Sequence, residues 1–244
     1  VSWARDVYKR QILNILIILG VTALITNVAI QKTTFKYEIP YMLLITAVLL
    51  VMGMTGNEIT FIEGVILWIL FIAYLLYLYI LAKKGNDSGD EQSVKLYPVW
   101  KCLFFIVLGG VCVVIGSQFV VNGATTIARA CGMSERFIGL TIVAFGTSLP
   151  ELVTSVSAAR KGNAGIEIGN IVGSNIFNIL FVVGTVALIC PVPFESRFVI
   201  DTVVAILCGV LLWGGTIRHK ELRKPCGVVM LLCYAAYFVY LAAM

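Results

Sequence analysis

Long apolar runs follow one another along most of this 244-residue chain, and each is long enough to cross a lipid bilayer. A hydrocarbon core of about 30 Å is spanned by roughly 17 to 25 helical residues. Hydrophobic residues make up 60% of the chain and charged residues 13%, a balance that excludes a soluble domain of this length. We predict an all-α polytopic membrane protein with about eight transmembrane helices, because a helix in lipid satisfies its own backbone hydrogen bonds. The eight runs are 12–30, 39–55, 61–82, 99–121, 137–158, 166–190, 198–214 and 225–244.

Basic residues concentrate in alternate loops between these runs. One set of loops holds twelve Lys and Arg residues, whereas the other holds only Arg129, Arg136 and Arg197. By the positive-inside rule the first set is cytoplasmic, which puts the C-terminus outside a bacterial inner membrane or another plasma membrane. The twelve are Lys32, Lys36, Lys83, Lys84, Lys95, Lys101, Arg160, Lys161, Arg218, Lys220, Arg223 and Lys224.

The chain also contains two copies of one pattern. The segment NILIILGVTALI from Asn14 matches NILFVVGTVALI from Asn178, and GVILWILFIAYLLYL from Gly64 matches GVVMLLCYAAYFVYL from Gly227. The number of spans between the copies, together with the loop charges, gives the two copies opposite orientations in the membrane. Inverted repeats of this kind are typical of secondary transporters.

One predicted span carries an acid where lipid favours apolar residues. The segment 139–160 reads GLTIVAFGTSLPELVTSVSAAR, and Glu151 within it has no basic residue nearby until the span ends. An ionisable group at this depth indicates a functional site. Pro150 removes a backbone donor and frees the carbonyl of Gly146, so another group has to satisfy that oxygen. Four residues share one helical face: Ala144, Thr147, Ser148 and Glu151. Together they supply a backbone oxygen, two hydroxyls and the carboxylate.

A second polar stripe follows in the next span, where Asn170, Ser174 and Asn178 recur every four residues. Gly169 and Gly173 beside them let a neighbouring backbone approach closely. Hard oxygen donors of this kind suit Na⁺ or Ca²⁺. Three further acids lie at span ends, where we expect solvated or helix-capping roles rather than ligation: Glu63, Glu167 and Asp201.

Together, GxTxxAxGTSxPE from Gly139 and GNxxGSNxxN from Gly169 resemble the alpha-repeat signature of the sodium/calcium exchanger family, within the cation/calcium antiporter superfamily. The resemblance covers the chain from about residue 12 to its end, and implies a ten-helix fold of two inverted five-helix repeats, incomplete here. It also implies the ion ligands: Thr147, Ser148, Glu151, Ser174 and Asn178, the carbonyl of Ala144, and Asn14 as the first-repeat counterpart of Asn178.

The resemblance and the repeats together predict the domain organisation. We expect residues 1–11 to be a non-native leader, 12–82 the C-terminal part of the first repeat, 83–98 a cytoplasmic linker, and 99–244 the second repeat. The second repeat has spans ahead of Asn178 that the first lacks ahead of Asn14, so we expect a missing N-terminal half with its own GTSxPE helix.

By resemblance, the chain is not an enzyme but a secondary antiporter that exchanges Na⁺ for Ca²⁺. We expect Ca²⁺ and Na⁺ to be its substrates and the lipid bilayer to surround it. We expect neither a cofactor nor a nucleic-acid partner. Some exchangers carry Asp where this chain has Asn178, which leaves the ion stoichiometry open. Two alternatives stay open: a proton- or potassium-coupled calcium exchanger, and a non-transporting membrane fragment that needs a partner half. A channel fits less well, because the polar residues cluster at one depth.

Overall fold

The computed structural model describes residues 2–85, 98–133, 138, 142, 144–146, 148–160 and 167–243. These residues are helical almost throughout. The helices are α1 (Ser2–Leu13), α2 (Leu19–Ile25), α3 (Ile39–Gly56), α4 (Phe61–Gly85), α5 (Val99–Ala130), α6 (Ala144–Gly146), α7 (Leu149–Arg160), α8 (Glu167–Phe177), α9 (Gly184–Ile189), α10 (Ser196–Ile217) and α11 (Lys224–Ala243). Wider π-helical turns occupy Asn14–Ile18, Thr34–Glu38 and Asn178–Val183. Two-residue strands are β1 (Val28–Ala29), β2 (Glu58–Ile59), β3 (Val192–Pro193) and β4 (Glu221–Leu222).

Seven helical segments in the described part of the chain are long and apolar enough to cross a membrane. They correspond to seven of the eight predicted spans. The remaining one, 137–158, includes residues outside the described ranges, and its described parts are α6 and α7. The prediction of an all-α polytopic membrane protein is confirmed. The seven segments are Val7–Ile25, Thr34–Gly56, Phe61–Lys83, Val99–Ala130, Glu167–Ile189, Phe198–Ile217 and Lys224–Leu241.

Short strand pairs join the two repeats at both ends of the bundle. β1 pairs with β4 and β2 with β3, both antiparallel. Since β1 and β2 lie at opposite ends of the helical segment 34–56, the two strand pairs lie on opposite sides of the membrane. The first span therefore ends earlier than predicted, at Ile25 rather than residue 30, because the backbone becomes extended at Thr26 before β1.

The internal two-fold relation is visible in the packing and in the turns. Helix α2 packs against α11, its counterpart α9 packs against α4, and α3 packs against α10. Asn57 and Lys220 occupy corresponding positions, and each has a left-handed φ of 54°. The carbonyl of Asn57 accepts from the Phe194 amide at 2.7 Å, and that of Lys220 accepts from the Ile30 amide at 2.9 Å. The repeat found in the sequence is therefore a structural repeat.

The centre of the core lies where the two Asn-Ile-Leu segments meet the neighbouring helices. Ile15, Leu16, Ile179 and Leu180 are fully buried there. Because lipid tails are as apolar as these side chains, close packing rather than water exclusion stabilises such a bundle.

The predicted domain boundaries fall partly outside the described residues. Most of the linker 83–98 does, because positions 86–97 are not described. Within the predicted leader 1–11, Val7 and Tyr8 are buried against the rest of the bundle. The boundaries of all four segments stay predictions.

Candidate cation site

The helix that carries Glu151 begins one residue before Pro150. Helix α6 ends at Gly146 and α7 begins at Leu149, with Pro150 in its first turn. Between them, the Ser148 amide donates to the carbonyl of Phe145 at 3.0 Å. The Ser148 side chain is 1% exposed, and its Oγ has no hydrogen-bond partner among the described residues. A buried hydroxyl without a partner is costly in a protein, and a bound cation would compensate for it.

Glu151 faces a cleft between three helices. The cleft has a volume of about 520 Å³ and is lined by Glu151 and Thr154 from α7, by Asn170 and Ser174 from α8, and by apolar residues of α5. None of its described lining residues is Lys or Arg. One residue of the first polar stripe, Glu151, and two of the second, Asn170 and Ser174, thus line one cleft, which brings a carboxylate together with an amide and a hydroxyl.

Two asparagines begin π-helical turns at corresponding places in the two repeats. Asn14 is fully buried, and its Nδ2 donates to Oδ1 of Asn175 at 3.1 Å. The Oδ1 of Asn14 and the Nδ2 of Asn178 find no hydrogen-bond partner in the described part of the chain. The amide of Leu19 bonds the carbonyl of Asn14, five residues earlier, which is the wide spacing of a π-turn. Such turns occur frequently at functional sites.

The predicted ligands occupy different environments in the structure. Glu151 and Ser174 line the cleft, whereas Ser148, Asn14 and Asn178 are buried and are not part of its lining. Helix α7, which carries Glu151, packs against α8 and against the π-turn that begins at Asn14. Ala144 lies in α6, and Thr147 lies outside the described residues. Ligation by these seven residues stays a prediction.

Asn175 belongs to this polar group, although the four-residue stripe excluded it. It is fully buried, and its Nδ2 lies 3.8 Å from Sδ of Met42 in addition to the bond with Asn14. Its position inside the GSN motif is the sequence signal that could have identified it.

The three acids at span ends take up different positions. Glu63 caps α4, because its Oε2 accepts from the amide of Thr60 at 2.7 Å and from the Thr60 hydroxyl at 2.9 Å, a capping box. Asp201 is 4% exposed and accepts from the Tyr237 hydroxyl at 2.7 Å. Glu167 is 2% exposed, and neither carboxylate oxygen has a hydrogen-bond partner within the described ranges. A solvated role is therefore wrong for Asp201 and Glu167, because both side chains are buried.

The donor set determines what the site can bind. Within the described residues no group of three or more His, Cys, Asp and Glu side chains comes together. The site is instead one carboxylate with neutral oxygen donors, a composition that suits a hard cation and not a softer metal. Such a site can bind and release an ion without covalent chemistry.

Known proteins are similar to this chain in sequence and in fold. The family described as "Sodium/calcium exchanger protein" matches residues 11–80 and 101–243. Inner membrane protein YrbG of Escherichia coli strain K12 is 32% identical over 240 residues, which cover 90% of this chain and 70% of YrbG. Sodium/calcium exchanger MaX1 of Methanosarcina acetivorans is 38% identical over 142 residues, 58% of this chain and 41% of that protein.

A solved structure agrees with the fold as well. The sodium-calcium exchanger NCX_Mj, soaked with zero Na⁺ and Ca²⁺, superimposes with a TM-score of 0.80 at 29% identity. The match covers 98% of this chain and 76% of that one. The family match, these relatives and the structural likeness agree on the family and on the fold. The chain belongs to the sodium/calcium exchanger family.

Proposed function

We propose that this chain carries out the cation exchange of its family, moving Ca²⁺ across a membrane in exchange for Na⁺ through the Glu151 cleft. The observation that carries the proposal is the composition of that cleft. A carboxylate in a membrane-spanning region lies with Asn170 and Ser174, and no basic side chain among the described lining residues neutralises it. A carboxylate within the membrane is energetically costly unless a positive charge lies beside it, and a bound cation supplies that charge.

The exchange follows from competition for one group. Either ion exchanges its hydration shell for the Glu151 carboxylate and nearby neutral oxygens, so the two ions cannot occupy the carboxylate together. Movement of one repeat against the other then exposes the cleft to each side in turn, as in other inverted-repeat transporters. We assign binding to Glu151, Ser174, Ser148, Asn14 and Asn178, with Thr147 and the carbonyl of Ala144 as further ligands.

The described residues supply one carboxylate to this cleft, and the resemblance to the family predicts a second from the other repeat. The names of MaX1 and NCX_Mj support Na⁺ as the coupling ion. We place the exchange in a bacterial inner membrane or another plasma membrane, with the C-terminus outside. A partner half would complete the site if the chain alone binds Ca²⁺ without exchanging it.

The test is Ca²⁺ uptake into Na⁺-loaded proteoliposomes that contain the purified chain, with a complementary first half added where the chain alone gives no uptake. Glu151→Gln keeps the size of the side chain but removes its charge, so we expect Na⁺-driven uptake to be abolished. Glu195→Gln is the matched control, since Glu195 is an exposed acid outside the cleft. Uptake that persists in Glu151→Gln would refute the site.

The coupling ion is tested in the same vesicles. Replacing internal Na⁺ by K⁺ or by a proton gradient should stop Ca²⁺ uptake. Uptake driven equally well by either replacement would favour the proton- or potassium-coupled alternative.

A further inference from the structure

A second acid lies beside the polar stripe of α8, on the side away from Glu151. Glu38 ends the π-turn Thr34–Glu38 and is 7% exposed. It lines a cavity of about 570 Å³ together with Thr34, Tyr74, Asn170 and Ser174, among other residues. No sequence pattern had singled out this acid.

The two cavities share a wall. Asn170 and Ser174 line the Glu38 cavity and also line the Glu151 cleft. Polar side chains of one helix thus connect the two carboxylates. A cation at Glu38 therefore has neutral oxygen donors on the way to Glu151.

Glycines on α8 keep this helix close to the acid. A Cβ added at Gly169 would lie 3.5 Å from Oγ1 of Thr34 and 3.9 Å from Oε2 of Glu38. A Cβ at Gly173 would lie 3.8 Å from the hydroxyl of Tyr74. Larger side chains would fill the space between α8 and these oxygens, so the two glycines leave room there for a small ligand.

Two lysines in this region contact aromatic rings. Lys36 lies over the ring of Tyr37, with its Nζ 5.2 Å from the ring centroid, and Lys220 lies over the ring of Phe35 at 3.1 Å. No described residue that lines the cavity is Lys or Arg. The Thr34 hydroxyl group belongs to the same cavity lining as Glu38 but brings no charge. A buried carboxylate without a charged partner is energetically costly, and a bound cation would compensate for its charge.

The counterpart of Glu38 in the second repeat has a protein partner. Asp201 occupies the corresponding position and accepts from Tyr237 at 2.7 Å. Tyr74 is the counterpart of Tyr237, yet within the described residues no hydrogen bond joins Tyr74 to Glu38. An acid and a tyrosine at corresponding positions therefore form a hydrogen-bonded pair in one repeat, Asp201 with Tyr237, and line a cavity in the other, Glu38 with Tyr74.

We propose that Glu38 forms a second cation-binding site, separate from Glu151, at the mouth of the α8 cavity. Its ligand is a hard cation such as Ca²⁺, held by the Glu38 carboxylate with the oxygens of Thr34 and Asn170. The site lies in the helical segment that begins beside Lys32, where the charge pattern predicts the cytoplasm. The identity of the ion rests on the proposed exchange function, whereas the existence of the site does not.

The test is the number of Ca²⁺ ions bound by the detergent-purified chain, measured by equilibrium dialysis with radioactive Ca²⁺. We expect Glu38→Gln to lose one bound equivalent and to keep the one at Glu151, whereas Glu151→Gln should show the reverse. Glu195→Gln should lose neither. Unchanged stoichiometry in Glu38→Gln overturns the inference. Loss of the same single ion in both variants also overturns it, because Glu38 would then belong to the transport site.

The two proposals fail separately. If Glu38→Gln binds one Ca²⁺ fewer than the original chain and Glu151→Gln binds the same number, the result supports the Glu38 site and refutes the Glu151 assignment.

A second measurement avoids charge removal altogether. Tb³⁺ replaces Ca²⁺ in oxygen sites and emits strongly when a nearby aromatic ring transfers excitation to it. Tyr74 lines the cavity, and Tyr37, Tyr41 and Tyr77 also lie beside Glu38, so replacing all four by Phe should reduce the sensitised emission while both Ca²⁺ equivalents stay bound. Emission that is unchanged in this variant, or unchanged when Ca²⁺ is added in excess, overturns the site.

Discussion

At the scale of single residues, the Asn14–Asn175 hydrogen bond joins the two repeats inside the bundle. It is buried and spans 3.1 Å between side chains far apart in the sequence. Asn14→Ala leaves Oδ1 of Asn175 without this donor, and we expect the two side chains to be coupled by about 0.6 kcal/mol, the average for such bonds in membranes. The measurement is a double-mutant cycle with Asn175→Ala, followed by unfolding in mixed micelles.

The control cycle combines Asn14→Ala with Thr126→Ala, since Thr126 is exposed and its hydroxyl donates to the carbonyl of Asn122 in its own helix. These two effects should add. Coupling as large as in the first cycle would mean that Asn14→Ala changes packing generally. The coupling energy could then not be assigned to the Asn14–Asn175 hydrogen bond.

The sequence predicted the stripes that contain Glu151 and Ser174, because the helical period determines which residues share a face. It could not predict that Asn14 meets Asn175 rather than Asn178. That choice depends on how two helices are rotated against each other, and local periodicity carries no information about this rotation.

At the scale of helices, two glycine contacts hold the repeats together. A Cβ at Gly227 on α11 would lie 2.8 Å from the carbonyl of Gly20, and one at Gly64 on α4 would lie 3.1 Å from the carbonyl of Gly184. Gly227→Ala should therefore push α11 away from α2 and destabilise the protein by about 1 to 3 kcal/mol, the usual cost of overpacking. Unfolding in mixed micelles measures this change.

Gly116→Ala in α5 is the matched control, because a Cβ there meets no atom within 4 Å. Removing a helical glycine should stabilise α5 by up to about 1 kcal/mol. Equal effects of the two substitutions would show that backbone propensity, and not the contact between α2 and α11, determines the result.

At the scale of the whole molecule, the two strand pairs provide a test of membrane orientation. If the basic loops are cytoplasmic, Glu221 in β4 lies inside and Glu58 in β2 lies outside. In a variant with all seven native cysteines replaced, a membrane-impermeant thiol reagent added to intact cells should label Glu58→Cys. It should label Glu221→Cys only in inverted vesicles. The opposite result would reverse the orientation and place the C-terminus in the cytoplasm.

By itself the sequence determined the membrane class, the inverted repeat and the carboxylate at Glu151. Bilayer thickness sets the length of apolar runs, and a polar group in lipid is energetically costly unless it has a partner. Short stretches of sequence therefore contain enough information to predict these features. Only the tertiary structure decided that Tyr237 pairs with Asp201, that Glu38 opens on a cavity, and that this cavity shares a wall with the Glu151 cleft. These relations join segments distant in sequence, and they exist only once the helices have packed at particular rotations and depths.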